Sequence, residues 1–525
     1  MISTSGLLQL LLLVVELVLY NGEVISHRPP CIHDKIAERH PHMVDLVSQT
    51  RRKINKRQSS VDYSNIRIHV EYTNVDSSAD SYVRGPNSVL SDSIKTLESI
   101  LMVHPVQGNL IIPPMCDVTW FYDSNEGKCS LLPYESYYEC GEFATIPSSY
   151  IGTIEVCPTS YGSCSLEGPN GSGLRNADYL LFVSATSSSN CGERTLAYAS
   201  HCMIDTSGNN RPVAGYINIC PLSLNDYEGQ NRVIKDLLMH EMIHALGFSS
   251  SLFDKFVDQH GNTYTTSKTI VGPYGDTSIF TGPKTVAVAR SYYSCQDIDG
   301  ALLENEGGAG TSSSHWEKRT LNHELMNGYK SNDYEVLSEF TVALLEDSGW
   351  YKANYTALHE LNQVPLVWGK GLGCSFLNEQ CTDKNVYPYL CDPSDIKPLC
   401  TPDHLSKGNC FVQWGGFDHC PVAIAYNVDD YCRAEHATST TTVESFTSSS
   451  ICVDAVRLLS SYTCGTYIRK PVWPLCVAQN SYSVNGDKQH VLNVEGQLYG
   501  CQDGHAVITG DNWIMSCPPT DEVVS

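Results

Sequence analysis

Five consecutive residues, His240-Glu241-Met242-Ile243-His244, constrain this chain more than any other feature of its sequence. Two histidines four residues apart on a helix project from the same face, so both can bind a single metal ion. The glutamate between them is held beside that ion, where it can accept a proton from an activated water molecule. The pattern predicts a helix from about Tyr227 to Leu246 that ends at Gly247, a residue suited to a left-handed turn.

Length and charge narrow the class of protein. A chain of 525 residues is too long to fold around a single hydrophobic core, so we expect two or three domains. Lys and Arg number 34 against 58 Asp and Glu, which gives a net charge of −24. A nucleic-acid partner is therefore not expected, because no basic surplus is present to neutralise phosphates.

The chain carries 22 cysteines at scattered spacings, which indicates the disulfide framework of a secreted protein. An apolar run over 7–19 is too short to span a bilayer and predicts a signal peptide over 1–26. No later stretch is apolar enough for a transmembrane helix. Glycosylation sequons at Asn170 and Asn354 fit the same compartment. We expect an exported monomer, with retention at the cell surface through a partner left open.

The segment 27–57 contains one cysteine and ends in the basic run 51–57, which predicts a removable prosegment with a processing site. A solvated basic loop is the alternative interpretation. Hydrophobic periodicity predicts strands over 67–72, 179–185, 195–200 and 215–220, helices over 92–103 and 334–347, and loops over 249–314.

A zinc hydrolase needs three protein ligands and one open position. Many metzincins place the third histidine three residues after the glycine, but Ser250 occupies that position here. The residues alone leave His315, His323 and His260 as candidates, and leave open a glutamate ligand instead.

The stretch His-Trp-Glu at 315–317, followed by Glu-Leu-Met-Asn at 324–327, resembles leishmanolysin, a family of zinc endopeptidases with an insertion before the third histidine. The segments 214–219, 344–351 and 368–374 resemble further parts of that family. The resemblance implies one Zn²⁺ per chain, bound by His240, His244 and His315. It also implies that Met326 is the Met-turn methionine, forming an apolar floor beneath the metal.

The same resemblance implies an α+β fold whose metzincin-type catalytic domain combines a mixed twisted sheet with the active-site helix. The expected segments are an N-terminal catalytic subdomain over 58–250 and a central subdomain over 251–365, which carries the third ligand and the Met-turn. A cysteine-rich C-terminal domain, mostly irregular or β, is expected over 366–525.

Cys31 lies in a Cys-Ile-His-Asp stretch that resembles the prosegment cysteine switch of the same family. A thiolate is a strong zinc ligand and would fill the position that water needs. Removal of the prosegment would leave 21 cysteines, an odd number. The alternative is that Cys31 forms a disulfide.

The expected function is that of a secreted endopeptidase, made as a latent zymogen, which hydrolyses extracellular proteins with Glu241 as general base. Its substrates would be extended peptides added to a sheet edge, with the strand 195–200 as the expected edge. Two alternatives remain: an adhesion protein that retains the zinc site without turnover, and a zinc hydrolase acting on a small substrate.

Overall fold

The computed structural model describes residues 31–33, 36 and 62–425, then residue 432 and the strands between 450 and 516. Within 62–425, the residues left out are 133–137, 193–194, 206–208, 225–226, 228, 308–310, 330–333, 363, 395–397 and 413–416. The predicted signal peptide and the basic run 51–57 lie outside the described residues. The chain forms two compact units, one of Pro29–Tyr329 with Glu335–Gln380 and one that includes Cys381–Ser525.

Helices, several sheets and many disulfides are mixed along the chain, which confirms the α+β class. The helices of the first unit are Asp80–Val83, Val89–Ile100, Pro221–Leu224, Asn231–Leu246, Pro283–Tyr293, Lys318–Leu321, Glu339–Asp347, Tyr355–Leu361 and Gly373–Asn378. Short 3-10 helices cover Ser148–Tyr150 and Ser250–Lys255. Within the described residues, no helix combines the length and apolarity needed to cross a bilayer.

The main sheet of the first unit has four strands, in the spatial order Ala197–Ile204, Pro212–Ile219, Tyr179–Ala185 and Ile68–Val75. Its two inner strands are buried along their whole length, and they pair in parallel. Both faces of these strands are covered, which explains their continuous apolar sequence. Ala197–Ile204 pairs antiparallel at one edge. The strand expected over 195–200 is therefore an edge strand, as predicted.

The motif helix, Asn231–Leu246, packs across the edge strand and its neighbour. It begins at Asn231 rather than near Tyr227, because Gly229 adopts a φ of 81° that a right-handed helix does not accommodate. It ends as predicted at Gly247, whose φ is 157° and whose amide donates to the carbonyls of Ile243 and His244.

The predicted loop region over 249–314 contains more regular structure than expected. It holds the hairpin Ser267–Gly272 and Gly275–Phe280, extended by Ala301–Leu302, and the helix Pro283–Tyr293. A proline in the first turn is compatible with helix initiation, because its missing N–H has no helical partner there. The helix expected from Tyr334 begins instead at Glu339, since the Ser338 side chain caps it by accepting from the Phe340 amide.

A second four-stranded sheet, called here the stapled sheet, consists of Val118–Thr119, Cys129–Leu131, Ile154–Val156 and Ser165–Glu167. Among the described residues, its buried cluster consists of Cys116, Cys129, Ile154 and Val156. Disulfides join Cys116 to Cys129 and Cys157 to Cys164. Covalent links thus compensate for a core too small to hold such short strands.

Three further disulfides lie in the first unit: Cys140–Cys202, Cys191–Cys220 and Cys295–Cys374. Its smaller sheets are Ser64–Asn65, Leu101–Val103 and Lys352–Ala353, and Asn109–Leu110 with Leu174–Arg175. The helix predicted over 92–103 spans Val89–Ile100 in the structure. The strand Leu101–Val103 takes the place of its expected C-terminal end.

The second unit is rich in cysteine and strands. Its first sheet contains Leu399–Cys400, Lys407–Val412 and Pro421–Ala425. Its disulfides include Cys381–Cys420, Cys391–Cys410 and Cys400–Cys452. Ser450–Val453 pairs with Leu475–Ala478, and a seven-stranded sheet has the order Tyr467–Pro471, Ala455–Ser460, Trp513–Ser516, His505–Ile508, Gln497–Gln502, His490–Val494 and Tyr482–Val484.

Candidate metal centre

Three buried imidazoles converge at the C-terminal half of the motif helix. His240 and His244 come from that helix, and His315 comes from the segment that follows the hairpin. The Nε2 atom of His244 lies 3.1 Å from that of His240 and 3.0 Å from that of His315. Four-residue spacing on a helix accounts for the first approach, whereas the second brings together residues 71 positions apart.

Backbone carbonyls orient all three rings. Nδ1 of His240 lies 2.7 Å from the Leu325 carbonyl oxygen, and Nδ1 of His244 lies 2.7 Å from that of Phe248. Nδ1 of His315 lies 2.8 Å from the Thr311 carbonyl oxygen. A carbonyl only accepts hydrogen bonds, so each Nδ1 donates, which directs each Nε2 atom toward the centre of the cluster, where a ring in its neutral form offers a lone pair.

This arrangement fits a divalent metal ion. Three lone pairs facing one another at 3.0–3.1 Å repel unless a cation lies between them. Tetrahedral zinc, with Zn–N bonds of about 2.0–2.1 Å, holds two nitrogens about 3.3 Å apart. Burial lowers the pKa of His244 well below its ordinary value, and the neighbouring His33, His240 and His315 lower it further. The ring is therefore neutral, the form that binds metal.

Cys31 lies at the same cluster. Its Sγ atom is 3.7 Å from Nε2 of His244, and the ligand atoms of Cys31, His240, His244 and His315 all lie within 4.8 Å of one another. Two hydrogen bonds hold its backbone: the Cys31 amide donates to the Gly328 carbonyl at 2.9 Å, and Thr311 Oγ1 donates to the Cys31 carbonyl at 2.9 Å. Cys31 forms no disulfide.

Glu241 is buried beside the three rings. One of its carboxylate oxygens, Oε1, lies 3.9 Å from Sγ of Cys31. A base within reach of the fourth position around the histidine cluster is suited to accept a proton from a molecule that occupies this position. In this structure the Cys31 thiol lies at that position.

His33 is a buried residue of this site to which the sequence analysis gave no role. Its ring stacks on that of His244, with centroids 4.0 Å apart and planes inclined by 4°. Nδ1 lies 2.8 Å from the Ala199 carbonyl oxygen on the edge strand, and Nε2 lies 2.9 Å from Ser249 Oγ. The only signal in the sequence is its position two residues after Cys31.

Met326 is fully buried in the segment that also orients His240. The fully buried Glu324 carboxylate fixes this segment, accepting from Ser338 Oγ at 2.7 Å, from Thr341 Oγ1 at 2.6 Å and from the Met326 amide. Burial raises the pKa of Glu324, although these hydrogen bonds oppose the shift. The sequence indicated no role for Glu324 beyond its place in the stretch 324–327, because its partners Ser338 and Thr341 lie at the start of a later helix.

The other candidate residues lie elsewhere. His323 is buried with Nε2 3.0 Å from Asn322 Nδ2 and its ring edge-on to Trp368, and His260 is exposed; neither belongs to the cluster. Of the two sequons, Asn170 is exposed. Asn354 caps the helix Tyr355–Leu361, with Oδ1 accepting from the Ala357 amide at 3.3 Å.

Comparison with known proteins identifies metallopeptidases among the relatives of this chain. The leishmanolysin family profile matches residues 151–416, about half of the chain. A leishmanolysin-like peptidase of Drosophila pseudoobscura pseudoobscura is 32% identical over 371 residues, which cover 62% of this chain and 53% of that relative.

Two further relatives come from distant organisms. A ciliated left-right organizer metallopeptidase of Mus musculus is 30% identical over 339 residues, covering 62% of this chain and 47% of the relative. A leishmanolysin homolog of Crithidia fasciculata is 30% identical over 311 residues, which cover 54% of this chain and 44% of that relative. This chain thus spans about half the length of these relatives. On the extent of the family match, the chain belongs to the leishmanolysin family of metallopeptidases.

Proposed function

We propose that this protein is a secreted zinc-dependent endopeptidase, made as a latent zymogen, which hydrolyses peptide bonds of extracellular proteins. One observation carries the proposal: three buried imidazoles, each with Nδ1 at a backbone carbonyl, present their Nε2 atoms to one point beside the buried Glu241 carboxylate. Membership of a metallopeptidase family and the many disulfides support it.

In the proposed reaction, His240, His244 and His315 hold the metal in a three-nitrogen site with an open fourth position. Zinc bound there would supply Lewis acidity, lowering the pKa of water and polarising the scissile carbonyl. Glu241 would take the proton from the attacking water on its carboxylate and pass it to the nitrogen of the leaving amine. Met326 would close the floor of the site as an apolar side chain.

The edge strand Ala197–Ile204 is the proposed docking line for the substrate backbone. Among the described strands it pairs with Pro212–Ile219 on one side only, so its outward amides and carbonyls are suited to pair with an extended peptide. The Ala199 carbonyl oxygen, which accepts from His33 in this structure, is one such acceptor. The prosegment and the substrate would then compete for the same strand.

Latency is proposed to reside in the segment 27–57. This proposal is supported by the position of the Cys31 ligand atom, which lies within 4.8 Å of those of the three histidines, and by its backbone hydrogen bonds to Gly328 and Thr311, on the segment that includes His315. Processing after the basic run 51–57 would release this segment and expose the metal site. Signal peptide removal at about 26 completes the proposed maturation.

The test of catalysis is cleavage of casein by the processed protein, with and without a zinc chelator, beside Glu241→Gln. We expect the variant to lose at least about a hundredfold in kcat while retaining bound zinc, because only the proton transfer is removed. Asp236→Asn is the matched control, since Asp236 lies on the same helix but pairs with Arg232. Cleavage that survives Glu241→Gln would refute the mechanism.

The test of latency is Cys31→Ser in the unprocessed precursor. A serine hydroxyl is a weaker zinc ligand than a thiolate, so the precursor should cleave casein without processing. A precursor that remains inactive would contradict the cysteine switch but leave the mechanism intact. An adhesion protein without turnover is the second candidate, and it would be favoured if neither the processed wild type nor any variant cleaved protein.

A further inference from the structure

Exposed large apolar side chains are concentrated in one part of the first unit. Of the described residues of this type, seven fall between residues 111 and 166: Ile111, Val118, Phe121, Tyr122, Leu131, Tyr161 and Leu166. Phe121 is 72% exposed, Tyr161 70% and Leu166 73%. Single exposed apolar residues are ordinary, but six of these seven, all except Ile111, lie on the strands or turns of the stapled sheet, and such a concentration marks an interaction surface.

The structure joins the two turns that carry these side chains. Phe121 and Tyr122 belong to the turn between the first two strands of the stapled sheet, and Tyr161 belongs to the turn between the last two. The buried Asn125 links them, its amide donating to the Ser160 carbonyl at 3.0 Å and its Nδ2 to that of Thr159 at 2.9 Å. Phe121, Tyr122, Tyr161 and Leu166 are called here the aromatic tip.

The aromatic tip rests on a rigid base. Disulfides Cys116–Cys129 and Cys157–Cys164 close the two hairpins from which it projects. Ser160 Oγ also donates to Asp123 Oδ2 at 2.6 Å, which fixes one turn against the other. A surface ordered before binding loses little conformational entropy when a partner docks, so these side chains are preorganised for contact.

The charge around the aromatic tip selects the partner. The two hairpins of the stapled sheet, 116–131 and 154–167, have five acidic residues and one basic residue, Lys128, which pairs with Glu155 at 3.2 Å. Asp123 and Glu126 are exposed in the same turn as Phe121. Acidic groups repel anionic lipid surfaces and a second copy of this chain, whose net charge is −24. Exposed aromatic rings and carboxylates together attract lysine and arginine side chains.

We propose that the aromatic tip is a docking surface for a basic protein segment, in which lysine or arginine side chains surround apolar ones. The partner's apolar groups would cover Leu166 and the rings of Phe121 and Tyr161. Its cations would stack on those rings and pair with Asp123 and Glu126. This surface uses no residue of the metal site, so the proposal does not depend on peptidase activity.

The test is binding of a fluorescent peptide of alternating lysine and leucine to the full chain carrying Glu241→Gln, which is included so that the probe is not cleaved. In this background we expect Phe121→Ser with Tyr161→Ser to weaken binding about tenfold, because two aromatic contacts are lost. Leu222→Ser with Val271→Ser is the matched control, since these side chains are 75% and 85% exposed outside the stapled sheet. The control pair should bind as tightly as the background protein.

A second variant separates charge from apolar contact. Glu126→Gln, which leaves the hydrogen bond from Ser160 to Asp123 intact, should weaken binding about twofold at low salt and flatten its salt dependence. The proposal would be overturned if a glutamate–leucine peptide bound as tightly as the lysine–leucine peptide. It would also be overturned if the Phe121→Ser, Tyr161→Ser variant bound the lysine–leucine peptide as tightly as the background protein. Binding to phosphatidylcholine–phosphatidylserine vesicles in place of the peptide, or self-association through the tip, would also overturn it.

Discussion

The main sheet and the stapled sheet have four strands each, yet they are stabilised in different ways. The inner strands of the main sheet, Tyr179–Ala185 and Pro212–Ile219, are buried throughout. The motif helix packs on Pro212–Ile219 and on the edge strand beside it. The stapled sheet buries four residues in its own cluster and is closed by two disulfides. One sheet is held by apolar packing, and the other by covalent links.

The difference between apolar packing and disulfide links explains which kind of site each sheet carries. A densely packed base keeps side chains in one rotamer, so it can hold three imidazoles and a carboxylate at fixed distances. A disulfide instead reduces the conformational entropy of the unfolded chain, so a disulfide-linked region remains folded without burying its apolar side chains. The metal site is accordingly buried over the main sheet, and the aromatic tip is exposed on the stapled sheet.

Truncation of one leucine in each sheet should show the largest contrast. Leu180→Ala should lower the free energy of unfolding by about 3–4 kcal/mol, because Leu180 is fully buried in the core of the main sheet and its loss leaves a cavity. Leu166→Ala should change it by less than about 0.5 kcal/mol, since that side chain is mostly exposed. Denaturant titration measures both values, and similar losses would contradict the comparison.

Removal of a staple should have the next largest effect. Cys116→Ser with Cys129→Ser should destabilise the stapled sheet by about 3 kcal/mol, the entropy of closing a loop with a sequence separation of 13. Hydrogen exchange should accelerate in residues 116–167, while zinc affinity stays unchanged. Loss of zinc binding would show that the two regions fold as one.

The support of the metal site by hydrogen bonds can be tested at Glu324. Glu324→Gln places an NH₂ group among donors and loosens the segment whose Leu325 carbonyl orients His240. We expect zinc affinity to fall about tenfold, measured by competition with a chelator. Glu339→Gln is the matched control, because Glu339 lies on the helix that donates to Glu324 but pairs with His359. Equal effects of both substitutions would refute a specific role.

Lowering the pH should destabilise the main sheet more than the stapled sheet. Burial, with a smaller effect of His33, lowers the pKa of His201 to about 3, so between this value and the unfolded pKa of about 6.5 only the unfolded chain binds the proton. The contribution of His201 to the free energy of unfolding should fall as pH falls through that window, by about 1 kcal/mol between pH 6 and 5. His201→Gln should reduce the total pH dependence by this amount. The stapled sheet has no histidine between 111 and 167, so its exchange rates should lack this dependence.

Local patterns in the sequence predicted the parts of the fold that depend on neighbours in the chain. The strand Tyr179–Ala185 and the helix end at Gly247 follow from an apolar run and a glycine. The helix start was placed too early, because a left-handed backbone at Gly229 is not distinguishable from an ordinary glycine in sequence. The helix Pro283–Tyr293 was missed, since its few buried residues give a weak periodicity.

Contacts over long sequence distances could not be read in the same way. His315 was selected from three histidines only by resemblance to a family, and the structure places it beside His244. His33 and Glu324 were not assigned, because their partners at Ala199, Ser249 and Thr341 become neighbours only after folding. The role of such residues depends on the path of the chain rather than on local composition.

The acceptors that orient the three imidazoles are main-chain carbonyls of Leu325, Phe248 and Thr311. Point mutation replaces side chains but cannot delete a carbonyl, so the tautomer of each ring is insulated from sequence drift at these positions. Related chains could therefore diverge widely around the site and still keep its chemistry, provided that insertions leave the loop paths intact. Insertions and deletions, rather than substitutions, would then be the main evolutionary hazard for this centre.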